Sequence, residues 1–164
     1  MMTDRLLDIP GGMAATKATL RVMAELARSA ALTRNMRERA ISLLQSMYAT
    51  SLADYIRTLR AYIRDGVLIV DEPDEIITAP GELAAQIDRG TAAGDCDDVA
   101  TLAAALLRTV GIETRLKAVA KTPQGYFGHV FAEYRFNGGG WTPFDTTIET
   151  SPVYDAGDFI VEDV

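Results

Sequence analysis

The chain carries one cysteine, Cys96, and one histidine, His129. A thiol attacks carbonyl carbon as its thiolate, so nucleophilic catalysis by cysteine calls for an adjacent base, and the base for a third group that fixes its tautomer. Asp145 is the carboxylate placed for that third role, a short distance after His129 in the sequence. Each residue also has a plain structural reading: a lone cysteine is often a small buried hydrophobe, and a lone aspartate often a turn or cap residue. Cys96 sits in the polar run Gly94-Asp95-Cys96-Asp97-Asp98 rather than on an apolar face, which favours chemistry. One Cys and one His among carboxylates do not make a common zinc ligand set, so no metal is expected.

The segment after Cys96 is apolar nearly all round, from Val99 to Leu107, and reads as a buried helix ending near Val110-Gly111. Asp95 is its natural N-cap and Asp98 the acidic partner of a capping box, which puts Cys96 at the first helical position. There the free backbone N–H groups and the helix dipole favour a thiolate, whereas the neighbouring Asp97 and Asp98 disfavour it, so a nearby imidazole is needed. Three strands are expected next, over 113–121, 128–136 and 141–145, the last two joined by the hairpin signal Asn137-Gly138-Gly139-Gly140. Alternation in the second puts His129, Phe131, Glu133 and Arg135 on one side and Val130, Ala132, Tyr134 and Phe136 on the other. Antiparallel pairing can then bring Asp145 beside His129, with Cys96 within or slightly beyond hydrogen-bond reach of the other ring nitrogen.

Upstream, residues 1–12 read as an extended arm that a partner could order, with Pro10, Gly11 and Gly12 leading into a first helix over 13–31. A second helix has the seam Met36, Ala40, Leu43, Leu44 and Met47, and a third starts at the cap Ser51 and runs to Gly66. Met and aromatic stripes at this spacing are core. Leu68 to Val70 is a short extended run, and Glu82 to Arg89 a short helix. The 164 residues divide as arm (1–12), N-terminal helices (13–50), core (51–150) and acidic C-terminal tail (151–164) within one domain, both termini packing little on the rest. Helices first and an antiparallel sheet afterwards define an α+β class.

A single cysteine excludes an internal disulfide. No stretch reaches the roughly 18 apolar residues of a membrane span, and the start lacks the apolar run of a signal peptide. The chain is therefore expected to be soluble and not exported by a signal of its own. Residues 1–64 hold ten Lys/Arg against five Asp/Glu, and the remainder six against eighteen. That acidic half argues against nucleic acid as partner.

The segments EIITAPGELAAQIDRGTA, GDCDDVATLAAALLRTVGIETR, FGHVFAEY and GGGWTPFDTT together resemble the core of the transglutaminase-like superfamily, over roughly Ser51 to Thr147. The form of the motif and the short length resemble versions encoded by bacteriophages and their bacterial hosts, which implies a place in the bacterial cytoplasm or on the virion. The resemblance implies a papain-like α+β fold, with a nucleophile helix on an antiparallel sheet. It makes Cys96 the nucleophile, His129 the base and then acid, and Asp145 the orienter, with the Cys96 N–H and a second, unidentified donor as oxyanion site. It implies no cofactor, and a protein or peptide substrate. Two functions follow: cysteine-dependent acyl transfer (amide hydrolysis or transamidation), or a noncatalytic assembly component that meets phage structural proteins through the N-terminal helices and termini.

Overall fold

In a computed structural model, residues 5–6, 12–46, 48–72, 76–120, 127–147 and 159–164 are described. Three helices come first: α1 (Met13–Ala31), α2 (Arg34–Ser46) and α3 (Leu52–Gly66). Arg5–Leu6 forms β1, paired antiparallel with β3 (Ile76–Ile77). This short pairing ties part of the expected arm to its own chain; most of the remaining residues of 1–12, like Met47 of the α2 seam, lie outside the described residues. α3 is capped as its sequence implies, with the Ser51 hydroxyl accepting the Asp54 N–H at 3.1 Å.

β2 (Leu68–Ile69) pairs in parallel with β4 (Ala93–Gly94). Between them lies α4 (Pro80–Arg89), which starts earlier than the expected Glu82. Proline at the first turn needs no N–H partner and its fixed φ suits a helix start. Gly90, at φ 68°, ends α4 in the left-handed conformation that glycine adopts without strain.

α5 (Cys96–Thr109) is the centre of the molecule. Every residue from Asp98 to Leu107 is buried, because α1, α2, α3 and α4 pack around it and β5 (Glu113–Ala120) and β6 (Phe127–Arg135) close the remaining side. Tyr55 of α3 is fully buried and donates its hydroxyl to the Leu106 carbonyl at 2.8 Å, which satisfies a polar group inside this core. Among the described residues no helix is long and apolar enough to cross a membrane.

The main sheet is antiparallel, in the order β7-β6-β5-β8, with β7 at Thr142–Phe144 and β8 at Phe159–Asp163. Leu116, Ala118, Val130, Ala132 and Phe144 belong to the helix-side core. The opposite side of β6 is covered as well: Phe131 is buried, and so is Glu133, which pairs with Arg115 at 2.6 Å and Lys117 at 3.4 Å. Trp141 lies between the Arg115 and Arg135 guanidinium groups, at 4.3 and 4.4 Å from its ring.

Residues 159–164 correct the expectation of a terminus that packs little, while 151–158 lie outside the described residues. Residues 159–163 pair with β5 in the register Lys117 opposite Val161, Ile160 packs against the core, and Val164 is buried. Arg28 donates to the Asp163 carbonyl at 2.8 Å, and Arg108 to that of Val164. The outer edge of β5 presents unpaired backbone groups, and a short strand with an apolar centre satisfies them despite its flanking acids.

Candidate active site

The site is built where β4 runs into α5. Asp95 has extended backbone and accepts the Asp97 N–H at 3.0 Å and the Asp98 N–H at 3.5 Å. Asp98 answers through Oδ2, which accepts the Asp95 N–H at 3.3 Å, completing the capping box. Its Oδ1 accepts the Thr78 N–H at 2.6 Å and ties the helix start to the segment after β3. Asp98 is fully buried, and loss of hydration pushes its carboxyl up to about 6 against the pull of the Thr78 N–H.

Cys96 follows at the first helical position, partly buried. Burial pushes its thiol up to about 12, the Asp97 carboxylate adds to this, and the backbone N–H of Val130, facing the sulfur, acts the other way. Desolvation and a carboxylate one residue away thus favour the neutral thiol at this helix start. The sulfur hydrogen-bonds to Asp97 Oδ1 at 3.6 Å. That contact is the hydrogen bond the described residues give the sulfur side chain.

His129 is buried on β6, opposite Val119 in β5, next to a register shift between Val119 and Ala120. Its Nε2 lies 2.6 Å from Asp145 Oδ2, and both side chains are 5 % exposed. The ring also stacks on Phe131, with centroids 5.7 Å apart. Asp145 immediately follows β7, whose pairing with β6 covers only Tyr134 to Ala132. Beyond Ala132 that edge of β6 is free of β7, and it is there that Val130 meets Cys96. The turn beyond Asp145 is closed by its own carboxylate, since Oδ1 accepts the Thr147 N–H at 2.8 Å and the Thr147 hydroxyl at 2.7 Å. Asp145 is thus a turn residue and an imidazole partner at once, one oxygen for each role.

Of the three candidate residues, the structure joins His129 and Asp145 directly and places Cys96 against the residue next to His129. Thr78, Thr147 and Arg60 escaped the sequence reading. Arg60, on α3, donates to the carbonyl of Asp145 itself, and nothing in its spacing separates it from a solvated helix arginine. Among the described residues no group of three or more His, Cys, Asp or Glu side chains could hold a metal ion.

The family comparison agrees with this architecture: the Transglutaminase-like superfamily matches residues 41–146, from within α2 through the last of the three candidate residues and one position beyond. The chain belongs to that superfamily. No curated protein and no solved structure matches it.

Proposed function

We propose that the protein is a cysteine-dependent acyl-transfer enzyme acting on an amide of a protein or peptide, with Cys96 as nucleophile, His129 as base and then acid, and Asp145 as orienter. The observation that carries the reading is the buried 2.6 Å contact between His129 Nε2 and Asp145 Oδ2. With Nε2 engaged, Nδ1 is the nitrogen left to take a proton. A thiol held neutral in the resting protein gives up its proton to His129 as it attacks, rather than beforehand. The sulfur–carbon bond forms, the carbonyl oxygen becomes an oxyanion near the Cys96 N–H, and the carbon–nitrogen bond breaks as His129 returns the proton to the leaving amine. The thioester that remains is resolved by water, giving hydrolysis, or by an amine, giving transamidation.

A second reading, a noncatalytic assembly component of a phage particle, is favoured by one observation: burial and Asp97 push the thiol up to about 12. The two readings separate in one experiment. Bacterial host and virion proteins are incubated with the wild type and with Cys96→Ala and compared by mass spectrometry. A cleavage, deamidation or crosslink that depends on Cys96 establishes the enzyme and names its substrate. Identical spectra, with stable co-purification of a virion protein by both forms, establish the assembly role.

A further inference from the structure

We propose that Arg60 is a positioning residue of the site, gripping the chain at Asp145 so that its carboxylate meets His129; the inference rests on the acyl-transfer reading. Arg60 lies on α3, partly buried. Its Nη1 donates to the Asp145 carbonyl at 2.6 Å and its Nη2 to the Pro143 carbonyl at 3.4 Å. The guanidinium carbon stands 4.7 Å from the centroid of the Phe144 ring. One side chain therefore holds three consecutive residues.

The pattern has a physical reason. Carbonyls two residues apart on a strand point to the same side, and the other side of β7 is taken by β6. Arg60 occupies the place a further strand would fill, and its planar fork reaches two oxygens at once, which an ammonium does not do. Pro143 lacks an N–H, which suits that edge. Among the described residues Arg60 has no carboxylate partner, so its charge serves two main-chain carbonyls and the face of the Phe144 ring. The carbonyl of Asp145 is thus fixed by α3 and Oδ1 by Thr147, which leaves Oδ2 a defined approach to the imidazole. Phe144, fully buried and paired with Ala132, supplies the anchor against which the grip acts.

The test reads the imidazole rather than turnover. Because His129 is the only histidine, its two ring nitrogens are assigned without ambiguity by nitrogen-15 NMR, with the ring neutral. Asp145 on Nε2 holds one tautomer and separates the two shifts widely; Asp145→Ala, by freeing the ring, draws them together and sets the scale. Arg60→Met is expected to move the separation at least half of the way from the wild-type value to that of Asp145→Ala while its unfolding transition stays cooperative. A folded Arg60→Met with the wild-type separation overturns the proposal and leaves Arg60 a tie between helix and sheet. If Arg60→Met does not fold, Arg60→Lys, which keeps the charge and stem without the fork, is read in the same way: partial loss supports the grip, and a wild-type separation overturns it. Absence of any Cys96-dependent product would sink the acyl-transfer reading without altering these shifts, so the two failures are distinguishable.

Discussion

A β-carbon added at Gly94 would stand 2.5 Å from Asp98 Oδ2. The glycine that precedes the helix cap is therefore set by the carboxylate folded back over it, which in turn holds the Asp95 and Thr78 N–H groups. Gly94→Ala is expected to cost about 1–3 kcal/mol, the usual range for overpacking a filled site, measured by urea unfolding. In the background of Asp98→Ala the same change should cost clearly less, because the two residues share one contact. Additive losses would show that the clash is relieved elsewhere.

Cys96 gives a pH signature of known sign. Its thiol is pushed up to about 12 in the folded chain, from an ordinary value of 9.0, so the folded state holds the proton longer than the unfolded one. The stability this contributes is present below pH 9 and is lost as pH rises toward 12. Wild type should therefore weaken relative to Cys96→Ala across that window. Alkylation by iodoacetamide should be slower than for a free thiol at pH 7 and rise about tenfold per pH unit above it, since the thiolate is the reactive form. A plateau near neutrality would contradict the neutral thiol.

Glu133 is a buried carboxylate between two cations, Arg115 and Lys117. Glu133→Ala leaves both charges partly buried without their partner and should cost about 3–5 kcal/mol, as for other broken buried pairs. Thermal unfolding measures it. A loss under about 1 kcal/mol would mean that the two cations turn to solvent freely.

On the acyl-transfer reading, turnover should grade by role. Cys96→Ala abolishes it and His129→Ala nearly does, whereas Asp145→Ala retains a residue of activity, lower by up to about 10⁴-fold, because an orienter acts through the base. Equal losses at His129 and Asp145, with the fold intact by circular dichroism, would give Asp145 a more direct part.

Much of this was legible in the sequence, and the limits are instructive. The caps at Ser51 and Asp95 could be read because a hydroxyl or carboxylate one residue ahead of an apolar run has few other uses. The all-apolar face of 99–107 placed α5 in the core for the same kind of reason. Thiol protonation was another matter: sequence spacing weighs the helix dipole against Asp97 but carries no information on burial, which decided it. Strand alternation in β6 separated its two faces, yet hid that the charged one is also buried, because the partners of Glu133 come from β5. The 159–163 strand was obscured by its acids, and Arg60 by its resemblance to any arginine on a helix surface.

The pairing of β8 with β5 joins Lys117 to Val161, about 44 positions apart, and the same end of the chain meets α1 through Arg28. Contacts so distant in sequence form late, because the long closure must be made before any of them stabilises the fold. Until then the outer edge of β5 is open, and the β8 segment of a neighbouring copy fits it as well as the chain's own. Refolding at high concentration should therefore give strand-exchanged dimers, resolved from monomers by size-exclusion chromatography, in a proportion that falls when the chain refolds dilute.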